Sequence, residues 1–304
     1  MSFPRTALLR LYDNPWLLIA LTCTFWSGNV VAARLAVGEI SPMFLVFARW
    51  GIASVILLAL ARRPLMNDWP ALAPHWIRIG LMGSCGFTLF TVFFYVSAYY
   101  TTGVNLAIIQ GVSPVLVLLG AWVAWGVSVT AVQIAGCALT LIGVALVATH
   151  GDLLALRDLN FRMGDLGVLA AAIIYSGYTL SLRNRPKCSS LGLFVTMTFA
   201  GFLSALPFVV WEGVTGRMFW PTGLGWVVLL YTAIFPSLLA QLFFIRGVEL
   251  IGPGRASLFY NMTPVIGAIF AALLLHEAFE PYHAVALAFV IGGVIIAERL
   301  GRRP

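Results

Sequence analysis

Apolar residues run for long uninterrupted stretches along this chain, and the breaks between the runs carry charged or turn-forming residues. The runs fall near 15–37, 42–61, 76–99, 103–125, 129–148, 165–182, 191–211, 223–247, 254–275 and 283–300. Each is close to the roughly 20 apolar residues that a helix needs to cross a bilayer. Arg62-Arg63-Pro64 is expected to end the second helix, Asn184-Arg185-Pro186 to follow the sixth, and Gly252-Pro253-Gly254 to separate the eighth from the ninth. The pattern predicts an all-α polytopic membrane protein with ten transmembrane helices.

Composition supports this reading. Of 304 residues, 61% are hydrophobic and only 10% charged, against about 25% charged in soluble domains. Ten spans would use roughly 200 residues, leaving no room for a separate soluble domain. The net charge of +7 does not cluster with aromatics on one face, which argues against a nucleic-acid partner. It sits in the connections, where Lys and Arg set topology. With the N-terminus in the cytoplasm, thirteen of the 18 basic residues fall on that side and only Arg34, Arg157, Arg162 and Arg217 on the other. Both termini are therefore expected to be cytoplasmic. Most tryptophans lie near predicted helix ends, as an aromatic belt would; Trp26 and Trp50 do not. Cys23, Cys85, Cys137 and Cys188 show no metal or redox spacing.

The chain also repeats. At an offset of 149–150, Trp26-Ser27-Gly28 with Arg34 matches Tyr175-Ser176-Gly177 with Arg183, Phe93-Phe94 matches Phe243-Phe244, and Ser113-Pro114-Val115 matches Thr263-Pro264-Val265. The expected organisation is a first five-helix repeat over 1–148, a connecting loop over 149–163 and a second repeat over 164–304. An odd number of spans per repeat turns the second copy upside down, and inverted repeats place substrate near the midplane between the halves.

Trp26-Ser27-Gly28-Asn29, Arg49-Trp50, the Ser113-Pro114 and Thr263-Pro264 helices and His276-Glu277 together resemble the EamA-type transporters of the drug/metabolite transporter superfamily. The resemblance covers nearly the whole chain. It implies ten helices, cytoplasmic termini, and export of small metabolites across a bacterial inner membrane through a central cavity. The overall pattern looks most like the aromatic amino acid exporters of that superfamily (the YddG type). One departure is visible: the family often has a Glu after the fourth helix, matching Glu277, and Val127 stands there.

Candidate site residues follow from what lipid does not tolerate. Proline within a helix frees the carbonyl four residues back, so Pro114, Pro236 and Pro264 would free those of Gln110, Thr232 and Tyr260. Such carbonyls are tolerated at depth only against protein or a water-filled cavity, which makes these kinks candidate walls and gating points. Asn29, Gln110, Gln241 and Asn261 are amides expected to face the interior, and Trp26, Tyr95, Tyr99, Tyr175, Tyr178 and Tyr260 offer flat faces for an aromatic or apolar substrate. Packing between helices is the competing explanation for each. Gly28-Ala32-Ala36, Gly120-Ala124 and Ala268-Ala272 read as close-packing positions.

Arg49 is the one ionisable group well inside a span, expected to pair with backbone carbonyls or with Glu39. No carboxylate or histidine relay falls at the midplane, favouring facilitated export over proton coupling. On this reading an amino acid's charged ends would meet amides, hydroxyls, freed carbonyls and helix termini. No catalytic motif, metal set or cofactor signature is present, and a membrane-embedded enzyme is disfavoured. The expected partners are a small-molecule substrate and the lipid bilayer, with a monomer as the functional unit. Purine-like metabolites and cationic drugs remain alternative substrates.

Overall fold

The computed structural model describes residues 13–152, 162–251 and 262–297. Among these residues the protein is all-helical, with no strand. Eight helices are long and apolar enough to cross a membrane: α1 (Pro15–Leu35), α2 (Pro42–Leu60), α3 (Arg62–Ser97), α4 (Gly103–Trp125), α5 (Ala131–Ala148), α6 (Met163–Asn184), α7 (Ser190–Val214) and α8 (Gly223–Ile251). Two shorter apolar helices complete the described fold, α9 (Thr263–Leu274) and α10 (Pro281–Ile295).

Local chemistry accounts for many of the boundaries. Asn14 caps α1 by accepting from the Trp16 and Leu17 amides at 3.2 Å, with Pro15 in the first turn, where its missing N–H costs nothing. A capping box of Thr130 and Gln133 starts α5, and Thr222 caps α8. Arg62-Arg63-Pro64 does not open a loop: helix resumes at Arg62, because proline is tolerated in a first turn. The stretch before position 76 is thus helical too, as a polar helix Arg62–Leu72 and a 3-10 turn Ala73–His75, and the apolar part of α3 starts at Trp76, where the sequence places it.

Most principal contacts show a reciprocity. Helix α1 packs on α8 and α9, and α6 packs on α3 and α4; α2 pairs with α7, α5 with α10, and α4 with α9. Exchanging each of the first five helices with the one five places later leaves this pattern unchanged. It extends to atomic detail. A Cβ at Gly136 would fall 2.5 Å from the Gly293 carbonyl oxygen, and one at Gly143 would fall 2.7 Å from that of Ala286. The two contacts exchange places under a shift of 150 residues.

Helices α3 and α8 also share a fault. Each contains one π-helical turn, at Ser84–Leu89 and Phe235–Leu239, and the turns stand about 150 residues apart. A π turn leaves backbone groups outside the regular ladder. Indole N–H groups serve both: Trp50 Nε1 donates to the Phe87 carbonyl at 2.9 Å, and Trp26 Nε1 to the Pro236 carbonyl at 3.2 Å. These are the two tryptophans that did not fit an aromatic belt.

One end of the bundle is closed by carboxylates acting across the chain. Glu212, at the end of α7, accepts from the Met43 and Phe44 amides at 3.1 and 3.0 Å. Glu277 accepts from those of Gly103 and Val104 at 2.9 and 3.0 Å and pairs with Arg34 at 3.3 Å. Each carboxylate satisfies orphan N–H groups at a helix start and meets the positive end of its dipole. At Val127, 150 residues before Glu277, no acid stands to repeat this cap.

Candidate functional site

A central cavity lies between the helices and encloses about 950 Å3 of space, open solvent at its mouth included. Its walls come from α1, α2, α3, α4, α6, α8, α9 and α10.

The three prolines all reach this cavity, though by a different geometry from the simple kink expected. Helix α4 is interrupted: Gly103–Gln110 ends, Gly111 and Val112 bond back only three residues, to Ile108 and Ile109, and a new helix starts at Ser113 with Pro114 in its first turn. In α9, Pro264 likewise stands in the first turn. Pro236 lies within the π turn of α8, and the Thr232 carbonyl it frees accepts from the Ser237 hydroxyl at 2.8 Å. That hydroxyl oxygen in turn accepts from Arg49.

Arg49 is almost fully buried, at 3% exposure, and it lines the cavity. It pairs with neither backbone carbonyls nor Glu39, which bonds to Thr222 instead. Its Nε and Nη2 donate to Ser237 Oγ at 2.9 and 2.6 Å, and Nη1 donates to Asn29 Oδ1 at 3.5 Å and to the Tyr95 hydroxyl oxygen. The Tyr95 hydroxyl donates in turn to Asn29 Oδ1 at 2.6 Å. The guanidinium also lies 5.2 and 5.3 Å from the ring centres of Trp50 and Tyr95.

Of the other sequence candidates, Trp26, Asn29, Gln110, Tyr175 and Gln241 line the cavity. Tyr175 packs at a tilt against Phe90, ring centres 5.0 Å apart, and against Tyr178 at 5.5 Å. Tyr95 is buried behind Arg49, outside the lining. Tyr178 packs against Phe87 and the Cα of Gly86, supporting the wall from behind. Tyr99 lies past the end of α3, its hydroxyl 3.5 Å from the Ile40 carbonyl, away from the cavity. Tyr260 and Asn261 fall outside the described residues. Trp50 also forms wall, as do Phe87, Phe90 and the α10 residues Val290, Ile291 and Val294; the apolar character of the last five makes them indistinguishable from core in the sequence. Gly28 and Gly120 are close-packing positions, since a Cβ at Gly28 would meet the Tyr231 hydroxyl and one at Gly120 the Leu180 side chain, whereas Ala124 is exposed.

The Arg49–Ser237–Thr232 chain predicts the effect of removing one hydroxyl. Ser237→Ala leaves two guanidinium N–H groups and a carbonyl without partners in a buried place, where each orphan costs about 1–3 kcal/mol. The melting midpoint of the purified protein should fall clearly, and Ser237→Thr, which keeps the hydroxyl, should restore much of it. Equal melting of all three would show the relay to be immaterial.

The sequence profile of the EamA-like transporter family matches this chain twice, over residues 15–149 and 162–298. The uncharacterized transporter YetK of Bacillus subtilis is 28% identical over 300 residues, covering 98% of this chain and 90% of that protein. An S-adenosylmethionine/S-adenosylhomocysteine transporter of Chlamydia trachomatis is 25% identical, covering 95% and 89%. A probable terminal-alkyne amino-acid exporter of Streptantibioticus cattleyicolor is 24% identical, covering 97% of each. A solved crystal structure aligns with 94% of this chain and 98% of its own at a TM-score of 0.63 and 20% identity, which speaks for the fold alone.

Proposed function

The chain belongs to the EamA-like transporter family, and from that premise we propose that it exports aromatic or other hydrophobic amino acids by alternating access through the central cavity. In this reading it is a multi-pass protein of the bacterial inner membrane. Ten spans form two inverted five-helix repeats, as in the YddG-type exporters, with both termini cytoplasmic and the monomer as the working unit. α9 and α10 supply the last two spans. The reciprocal helix contacts and paired π turns support the repeat reading, and the double family match agrees with it.

The observation that carries the substrate class is the cavity wall. Trp26 and Tyr175, equivalent in the two halves, contribute aromatic faces beside the amides of Asn29, Gln110 and Gln241. Flat rings favour a ring or other apolar body, and the amides offer polar contacts without fixing one geometry. Two relatives named above carry amino acids or their derivatives in their names, which agrees with this class. The S-adenosylmethionine transporter also supports a second reading, an amino acid joined to a purine. No Asp, Glu or His lines the cavity among the described residues, in keeping with export driven by the substrate gradient.

Reconstitution into liposomes tests this directly. Aromatic amino acids, aliphatic and polar amino acids, nucleobases, S-adenosylmethionine and cationic dyes are loaded separately and their efflux followed. Aromatic amino acids should move fastest without an imposed pH gradient. Trp26→Ala with Tyr175→Ala should slow them about tenfold or more, the loss of two ring contacts at roughly 1 kcal/mol each. Indifference to every aromatic compound would remove the substrate assignment, and strict dependence on a pH gradient would remove uncoupled export.

A further inference from the structure

We infer that Arg49, assisted by the side-chain amide of Asn29, is an anion site that holds the carboxylate of the transported molecule. The cavity therefore recognises its cargo by that carboxylate and not by an ammonium group. The inference rests on the cavity being the transport path, and it narrows the cargo to monocarboxylates with an apolar body, amino acids among them.

Among the described residues lining the cavity, Arg49 is the only charged side chain. Its hydrogen-bond partners, Ser237, Tyr95 and Asn29, are all neutral. The ion pairs of the described residues are Arg34 with Glu277 and Arg246 with Asp13 and Glu249, so no carboxylate is paired with Arg49. A cation taken out of water is normally compensated by an anion, because neutral dipoles recover only part of its hydration. The rings of Trp50 and Tyr95 supply a further fraction. The charge balance of this cavity is thus incomplete by one negative charge.

Geometry indicates where that charge would sit. The Nε/Nη2 edge, the fork that a carboxylate's two oxygens would otherwise fill, is taken by Ser237 Oγ, so an anion meets Arg49 at the donor left over. Four hydrogen bonds engage Arg49, and a guanidinium has five N–H donors, so one Nη2 N–H remains. Asn29 adds a second donor. Arg49 can only donate, which fixes Oδ1 as the amide atom facing it and turns Nδ2 away; Asn29 lines the cavity. The position equivalent to Arg49 in the other half is Phe199, so this site has no counterpart there. The wall offers an ammonium group no carboxylate among the described residues, only amide and hydroxyl oxygens. The amine of an amino acid is accordingly tolerated, not required.

Binding to the purified protein in lipid nanodiscs, read through quenching of the cavity tryptophans Trp26 and Trp50, tests the assignment. One body with four head groups separates the possibilities: phenylalanine, 3-phenylpropanoate, phenylalaninamide and phenethylamine, with indole-3-acetate and octanoate as further carboxylates. The two phenyl carboxylates should bind within about threefold of each other and about tenfold or more tighter than the amide and the amine, as expected for a charge-assisted contact. Arg49→Gln should abolish that preference while leaving the binding of neutral 3-phenylpropanamide within about threefold of wild type. The wild-type series stands by itself if the variant does not fold. Amine or amide binding as tightly as the carboxylates would overturn the anion site while leaving amino acid export intact, and so would failure of every carboxylate to bind. Carboxylates that bind as stated while liposomes export no amino acid would instead overturn the proposed function and leave the site standing.

Discussion

Gly136→Leu should prevent α5 and α10 from docking and leave a protein that elutes as aggregate or melts well below wild type. At this crossing the two backbones touch. A Cβ on Gly136 would lie 2.5 Å from the Gly293 carbonyl oxygen and 2.7 Å from the Ala297 amide nitrogen. Neither is the tip of a side chain that could swing aside. Overpacking against movable side chains costs about 1–3 kcal/mol, and against fixed backbone the helices must separate, losing the close contact that holds membrane helices together. Gly177→Ala is the matched control, since nothing lies within 4 Å of a Cβ there; it should leave melting unchanged or raise it slightly through helix propensity. Thermal unfolding in detergent with size-exclusion chromatography reads both. A Gly136→Leu protein that melts like wild type would mean that the α5–α10 contact is looser than described.

Glu212→Leu should be the next most damaging change, although the side chain touches neither the cavity nor any basic partner among the described residues. Its two oxygens serve the first free amides of α2, whose N-cap residue Ser41 makes no side-chain capping bond. Leucine fills the space and orphans both donors in a buried place. At about 1–3 kcal/mol per orphan, partly offset by no longer burying a carboxylate, the loss should reach roughly 2–4 kcal/mol. Glu212→Gln keeps one strong acceptor and should lose about half as much. Chemical unfolding followed by tryptophan fluorescence distinguishes these outcomes, and equal stability of the leucine variant would show that α2 finds its cap elsewhere.

The sequence located the faults in the helices more accurately than the groups that repair them. Pro236 announces a freed Thr232 carbonyl, and that carbonyl is freed; nothing local says that Ser237, five residues on, accepts the task and carries it to Arg49. Pro114 was read as a kink inside a continuous helix, whereas Gly111 and Val112 tighten to shorter-range bonds and break it. The connection before Trp76 is helical over Arg62–Leu72, which the sequence does not announce because Arg62-Arg63-Pro64 suits both a loop and a first helical turn. Arg49 stood out as a charge in lipid, but its partners lie 20, 46 and 188 residues away, beyond any periodicity. Trp26 and Trp50 stood out for missing the membrane belt, and the reason is tertiary: each supplies an N–H to a π turn on another helix.

Lipid offers backbone groups no partners, so every described segment at depth must satisfy itself as helix. The lengths of the apolar runs, their proline and glycine breaks and their near-repeat at 150 residues therefore determined by themselves the helical class, most boundaries and the family resemblance. Apolar helices are nearly interchangeable in composition. Which of them meet, and which polar atoms are brought together, depends instead on where backbones approach within contact distance and on hydrogen bonds between residues far apart in the chain. Only the tertiary structure could decide that Gly136 lies against Gly293, that Glu212 caps α2, and that Arg49 reaches the cavity with no anion beside it among the described residues.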